Sequence, residues 1–275
     1  MPARSWLRGE CMMRLLLILV FLAILVSCGK NESINGESLA SKVIIGNLDW
    51  KDWSKTAFAG TENLLVARNA RTVGYLDIPA VESRCTAFLI DVDVVMTNRH
   101  CITKAQDADG ATVTFGYEAD KKIKRIKYLC DEFIDNNEEV DVALLRCKGR
   151  PGDKFDTVEF STSTLKKGDE LYVIHQNCDY FTNQKCDWTK KISQGKTVGS
   201  KNSMEFIHNA DTLGGSSGSP VFSRKTHQLI GLHHAGMGNM GDGRGTENYA
   251  VKISQVLKFL KTAHPEIQIR FAVKK

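Results

Sequence analysis

From residue 60 onward the chain is written as short apolar segments separated by polar turns, and this punctuation restricts it to an all-β architecture. TAFLI (86–90) and VVMT (94–97) are parted only by DVD (91–93), while ATVTFGY (111–117) alternates apolar and polar residues with the period of a half-buried strand. Further strands are expected at 123–130, 140–147, 170–174, 196–199, 204–208, 220–223, 229–233 and 249–253. Turns at such spacing belong to sandwiches and barrels. One segment, SQVLKFLKT (254–262), has helical periodicity, with Ser254 as its cap and His264 and Pro265 ending it. KGRPGD (148–153) is the best boundary between two halves, and no internal repeat is present. With 275 residues and 42% apolar content there is material for a real core.

The N-terminus belongs to targeting rather than to the fold. LLLILVFLAILV (15–26) is an unbroken apolar run of 12 residues after Arg14, too short to span a bilayer comfortably and right for a signal-peptide core. It ends in LVSC (25–28), which resembles a bacterial lipobox, so residues 1–27 are expected to be removed and Cys28 acylated; an ordinary cleavable signal is the alternative. Met12 or Met13 is a candidate start. Gly29 stands where an inner-membrane lipoprotein would carry aspartate, so by analogy the outer membrane is the expected address. KNESINGES (30–38) is polar and reads as a tether.

Removing residues 1–27 takes away three Arg and one Glu, leaving 34 basic and 31 acidic residues, a balance that does not call for nucleic acid. With Cys11 and Cys28 set aside, six cysteines remain: Cys85, Cys101, Cys130, Cys147, Cys178 and Cys186. An even count in a chain that has left the cytoplasm implies disulfides. Fifteen pairings are open, and proximity along the expected hairpins favours Cys85 with Cys101, Cys130 with Cys147 and Cys178 with Cys186. Zinc is disfavoured because no C-x-x-C pair is present, and neither a metal nor a cofactor is expected.

GGSSGSP (214–220) holds two neighbouring serines, each fitting a different hydrolase pattern. Taken as G-x-S-x-G, the stretch would make Ser216 the nucleophile of an α/β-hydrolase elbow, but a helix must follow such a turn, and Pro220, Val221 and Phe222 start a strand instead. Taken as G-x-S-G-x-P it selects Ser217. TNRHC (97–101) and EVDVALL (139–145) then supply a histidine and an aspartate in the chain order His, Asp, Ser. These three motifs together resemble the trypsin-like serine peptidases, in particular the bacterial V8-like glutamyl endopeptidases. The similarity runs from about Val43, where VIIGN (43–47) looks like the relatives' mature N-terminus, to about Ile253.

The resemblance implies two antiparallel β-barrels of the chymotrypsin type and assigns roles. The first barrel, 60–150, would carry His100 as general base and Asp141 as its orienting carboxylate; the second, 151–253, would carry Ser217 as nucleophile. Residues 28–59 are the tether and N-terminal segment, and 254–275 a helix and tail. The Gly215 and Ser217 N–H groups would form the oxyanion hole. A disulfide from Cys85 to Cys101 would close the histidine loop. Ser216 occupies the position where chymotrypsin-type zymogens keep an Asp for the freed N-terminal amine, so that activation switch is missing.

Specificity signals conflict. Asp211 stands where trypsin-like enzymes keep the acid that binds Arg or Lys, while Thr212 and His233 match positions that V8-like enzymes use to hold Glu on the acyl side of the cut bond. A carboxylate at the pocket base repels Glu unless Asp211 turns away or pairs with His233. His233 and His234 adjoin in an expected strand, so they face opposite sides and do not chelate one metal together. The expected protein is a secreted or membrane-anchored monomeric endopeptidase acting on protein or peptide substrates, with cleavage after Glu favoured over Arg or Lys. The rival from another class is a non-catalytic envelope lipoprotein that uses a protease-like fold for binding.

Overall fold

The strands at TAFLI and VVMT are buried on both faces, which is why they read as continuous apolar runs rather than as alternating ones. The computed structural model describes residues 38–40, 43–53, 60–179, 186–238 and 244–271. The expected signal segment, Cys28 and part of the tether lie outside the described residues.

The described chain begins with β1 (Ser38–Ala40), β2 (Lys51–Asp52) and α1 (Gly60–Thr72). A first sheet follows: β3 (Val73–Ile78), β4 (Ser83–Leu89), β5 (Val94–Thr97), β6 (Thr112–Phe115), β7 (Ile126–Leu129), β8 (Glu132–Asn137) and β9 (Val142–Arg146). Its order is β7-β6-β3-β4-β5-β9-β8, every neighbour antiparallel. The short α2 (Pro151–Phe155) lies at the boundary read from KGRPGD. The second sheet holds β10 (Glu159–Phe160), β11 (Glu170–His175), β12 (Lys191–Ser200), β13 (Glu205–His208), β14 (Ser219–Ser223), β15 (Leu229–Gly238), β16 (Gly245–Lys252) and β17 (Arg270–Phe271). Pairing of β14 with β15 closes the ring β14-β11-β12-β13-β16-β15 into a six-stranded barrel. β1 pairs with β15 and β2 with β12, so the N-terminal segment is laid on this second barrel.

Strand periodicity sorts side chains into three cores. In β4, Cys85, Ala87 and Leu89 point into the first barrel, whereas Phe88 faces a core shared by both sheets. In β11, Leu171 and Val173 fill the second barrel while Tyr172 and Ile174 join the shared core. That shared core also takes Val66 and Ala70 of α1 and Val256, Leu257 and Leu260 of α3 (Ile253–Ala263). Each buried Val, Leu, Ile or Phe side chain there contributes roughly 1.5–3 kcal/mol by area removed from water. Apolar burial therefore fixes how one barrel sits on the other.

Three expectations need correction. The helix α1 was not anticipated, because Asn69 and Thr72 lie on its buried face while Leu64 is 70% and Leu65 40% exposed, which scrambles the helical stripe. Asn69 is buried because its Nδ2 donates to the Tyr172 hydroxyl (2.9 Å) and the His227 carbonyl (2.7 Å). The strands β3 and β8 were likewise not expected. Ser254 is not the cap of α3: the helix starts at Ile253 with Lys252 in the cap position and no side-chain cap bond, although His264 does end it.

All six cysteines are consumed in the three nearest-neighbour pairs, Cys85–Cys101, Cys130–Cys147 and Cys178–Cys186. Among the described residues no helix is long and apolar enough to cross a membrane, and no group of three or more His, Cys, Asp or Glu is placed to hold a metal ion. The first bridge closes a 16-residue separation that carries β5 and the His100 turn. By loop-closure entropy it is worth about 3 kcal/mol. We therefore expect Cys85→Ser with Cys101→Ser to lower the unfolding free energy by about 3 kcal/mol in urea titrations at unchanged m. A loss under about 1 kcal/mol would assign the turn's order to the β4–β5 hairpin alone.

Candidate active site

His100 sits in a single 3₁₀ turn, Arg99–Cys101, directly after β5, and Asp141 immediately precedes β9. Since β5 and β9 pair, with Thr97 opposite Ala143, the two residues leave the sheet side by side. Asp141 adopts φ +43°, a conformation costly for a non-glycine residue. It is held there by its carbonyl, which accepts from Arg99 N (3.1 Å) and Asn98 Nδ2 (3.0 Å). Ser217 comes from the second barrel, in the loop before β14, where Gly215 (φ +95°) and Gly218 (φ +79°) permit the tight course. A side chain on Gly218 would collide with Thr86 O and Thr97 Oγ1.

The three residues meet. Ser217 Oγ lies 2.5 Å from His100 Nε2, His100 Nδ1 lies 2.8 Å from Asp141 Oδ2, and the His100 amide donates to Asp141 Oδ1 at 3.0 Å. A carboxylate only accepts, so Nδ1 carries the proton and Nε2 offers its lone pair to the serine hydroxyl. Ser217 is 1% exposed, while the His100 side chain keeps 45% of its surface open. The loop carrying Ser217 is pinned across the barrels: Thr86 N donates to Ser217 O (2.8 Å), Thr86 Oγ1 to Gly215 O (2.9 Å) and Gly218 N to Asn98 Oδ1 (2.5 Å).

Asp141 has a further neighbour that the motifs did not announce. His234 of β15 brings Nδ1 to 3.5 Å from Asp141 Oδ2 and Nε2 to 2.6 Å from Glu205 Oε1. Burial works against the Asp141 charge, but hydrogen bonds from His100 and His234 outweigh it and hold this carboxyl well below the ordinary range. Glu205 is brought down to about 2, chiefly by His234, with Lys201 adding to the effect. Burial opposes protonation of His234, yet Asp141 and Glu205 together raise it above its usual value.

Ser216 has a different fate. Its hydroxyl faces the fully buried His175, with Nδ1 at 2.9 Å, and His175 Nε2 lies 2.9 Å from Ser193 Oγ. Ser193 donates its own proton to Asp211 O (2.7 Å), so it accepts from His175 Nε2–H, and Ser216 donates to Nδ1. Burial pushes His175 down to about 3, so it stays neutral.

The specificity candidates separate. Asp211 is buried and turned toward the N-terminal segment, its Oδ1 accepting from Ile45 N and Oδ2 from Asp49 N, both at 2.8 Å. Both carboxylate oxygens are thus engaged by main-chain amides of the N-terminal segment. Burial and the neighbouring Asp211 push the Asp49 carboxyl up to about 7. Thr212 donates to Asn248 Oδ1 (2.8 Å), while His233 Nδ1 lies 3.2 Å from Nε2 of His208 on β13. Burial lowers His208 to about 3. A concavity of about 950 Å³ between α1 and the turn at 224–227 lies elsewhere; its His227 is bonded to the Tyr172 hydroxyl rather than to a serine.

A closed six-stranded barrel and a seven-stranded half-barrel of the chymotrypsin type, with a Ser, His and Asp converging between them, define the class. Residues 85–232 match the family described as a trypsin-like peptidase domain, and the chain belongs to that family. An uncharacterized protein of Sinorhizobium fredii (strain NBRC 101917 / NGR234), y4fB, is 28% identical over 217 residues, covering 69% of this chain and 30% of its own length. This chain thus spans under a third of that relative. Among solved structures, a Glu endopeptidase in complex with MPD superposes with TM-score 0.62 at 19% identity, covering 81% of this chain and all of that one. Deg5 gives 0.52 at 19% over 72% and 91%, and the inactive form of the Rv3671c protease of M. tuberculosis H37Rv gives 0.51 at 18% over 73% and 92%. Identities this low speak to the fold.

The buried histidines set a pH dependence whose sign follows from their depressed values. Folded His175 and His208 protonate near 3 rather than 6.5, so the stability they confer is complete above about pH 6.5 and drains as pH falls toward 3, at up to about 1.4 kcal/mol per pH unit each. His234, raised, contributes in the opposite sense: its share is present below 6.5 and is lost as pH climbs through its folded value. We expect urea midpoints to fall between pH 6.5 and 4, with His208→Asn flattening that slope; an unchanged slope in the variant contradicts the assignment.

Proposed function

We propose that the chain is a serine endopeptidase that cuts through an acyl-enzyme intermediate, with Ser217 as nucleophile, His100 as general base and acid, and Asp141 as the carboxylate that orients it. The observation that carries this reading is the relay of 2.5 and 2.8 Å from Ser217 Oγ through His100 to Asp141. As Ser217 attacks a carbonyl, its proton passes to Nε2, and the resulting imidazolium is stabilised by Asp141. The carbonyl oxygen, now negative, is met by the Gly215 and Ser217 N–H groups. His100 then returns the proton to the leaving nitrogen, the amine departs, and water repeats the sequence on the ester.

Glu is the favoured residue on the acyl side of the cut. Asp211 is engaged by main-chain amides and so adds no free charge to repel it, while Thr212 and His233 remain as the polar candidates for the pocket. The superposed Glu endopeptidase agrees with this preference by its description. Three disulfides suit an extracellular or envelope address. We extend this to a lipid anchor at acylated Cys28.

A fluorophosphonate probe is expected to form one adduct, on Ser217, that Ser217→Ala abolishes; no adduct on folded, oxidised protein would favour the binding-module alternative. Asp141→Asn is expected to lower kcat roughly 10⁴-fold by presenting the wrong tautomer. In a peptide library varied at the acyl-side residue, cleavage after Glu should dominate and collapse in His233→Ala, whereas dominance of Arg or Lys would return the pocket to Asp211.

A further inference from the structure

One row of the first sheet runs outward from the nucleophile loop to the most basic stretch of the chain. Thr86, which holds the Ser217 and Gly215 carbonyls, pairs across strands with Tyr75, Tyr75 with Thr114, and Thr114 with Lys127. Directly opposed residues share a face of the sheet, so these four side chains point the same way. With strands about 4.8 Å apart, Lys127 stands about 14 Å from Thr86, the reach of about four extended residues.

The near part of this path is aromatic. The Trp188 ring sits so close over Gly215 that any side chain there would collide with it. Trp188 packs at a tilt against Tyr75 at 5.6 Å between centroids, and Tyr75 lies 5.0 Å from Tyr117, also tilted. All three rings are only partly buried. The far part is cationic. The Arg125 guanidinium covers the Tyr117 ring at 3.7 Å, and KKIKRIK (121–127) exposes Lys121, Lys122, Lys124, Arg125 and Lys127 together with Ile123, which is 43% exposed. The acids beside them are engaged: Glu118 is buried against Lys190 (3.4 Å), Asp77 lies 3.5 Å from Arg84, and Asp120 accepts from the Lys122 amide.

Chemistry says which half of a peptide travels this way. His100 Nε2 hands its proton to the departing nitrogen, so the chain beyond the cut bond must cross the His100 side of the cleft, which is the first barrel. We propose that Trp188, Tyr75 and Tyr117, followed by Arg125, Lys127 and Lys124, form a leaving-group-side subsite that selects substrates bearing an apolar or aromatic residue just after the cut and Asp or Glu at the third to fifth positions. The proposal rests on the peptidase reading above. It explains why an exposed basic run adjoins half-open aromatic rings on the rim of the cleft.

The test uses the full oxidised chain and internally quenched peptides with one acyl half and three leaving halves, in which positions three to five are Glu-Asp-Glu, Gln-Asn-Gln or Lys-Lys-Lys. We expect kcat/KM for the acidic peptide to exceed the neutral one by about 10-fold at low salt, and the gap to narrow as salt rises. Arg125→Glu with Lys127→Glu should invert the acidic-to-neutral ratio, and because the ratio is internal, partial misfolding cancels. Trp188→Ala should erase the preference for an aromatic residue just after the cut. Equal rates for all three peptides would overturn the subsite while leaving the peptidase reading intact, as would binding to anionic phosphatidylglycerol vesicles without peptide selectivity. No cleavage of any peptide together with no fluorophosphonate adduct on Ser217 would overturn both.

Discussion

The site exists only while the two barrels are docked, and Thr86 is where that docking is translated into chemistry. One residue of the first barrel holds the Ser217 loop of the second at two points, through its amide to Ser217 O and its hydroxyl to Gly215 O. Its hydroxyl also accepts from the Gln176 amide at 3.0 Å. Asn98 adds the reciprocal link, joining the Gly218 amide to the Asp141 carbonyl through one side chain. The shared apolar core beneath, with Phe88 on one side and Tyr172 and Phe222 on the other, supplies the force that keeps these short polar links in register. A hydrophobic interface thus sets a reactive distance, since a shift of about 1 Å between the sheets would open the Ser217–His100 contact.

The electrostatic design follows from that docking. Asp141 comes from the first barrel, but His234 and Glu205 come from the second, so the carboxylate lies between imidazoles contributed by both halves. Holding Asp141 ionised against its own burial therefore depends on the same interface. Glu205 in turn raises His234 above its usual value, with Lys201 on its far oxygen at 3.1 Å. The chain of polar contacts runs His100, Asp141, His234, Glu205, Lys201, and it ends at solvent.

What could be read from the sequence divides along the same line. His100, Asp141 and Ser217 each sit in a short local word, TNRHC, VDVALL and GSSGSP, whose neighbours already state the turn or strand the residue needs. The disulfides were legible because each closes between cysteines close in the chain. Asn98, His234 and Glu205 were not, for their roles arise only when residues 29 to 120 positions apart are brought together by barrel closure. Asp211 was ambiguous for the same reason: its position along the chain allowed a pocket acid or a carboxylate turned away, and the partners that engage both its oxygens, Ile45 N and Asp49 N, lie more than 160 positions back. The helix α1 was hidden by its own exposed leucines, since an amphipathic stripe is visible only when the buried face is the apolar one.

Two serines stand side by side, each hydrogen-bonded to a histidine, and the third partner and exposure decide which pair can react. His175 is backed by the Ser193 hydroxyl, which can accept one hydrogen bond but cannot neutralise a positive ring, and the site admits no solvent to do so. A proton taken from Ser216 would create an unpaired charge in a dry interior, which is why burial drives His175 down to about 3. His100 is backed by a carboxylate and keeps part of its ring in water, so the same transfer from Ser217 produces an ion pair rather than a stranded cation. Exchanging hydroxyl for carboxylate behind the imidazole separates a purely structural hydrogen bond from one suited to the proposed proton relay. The buried pair then serves the open one: with its hydroxyl fixed to His175 and to the Leu213 amide, Ser216 anchors the turn from which Ser217 projects.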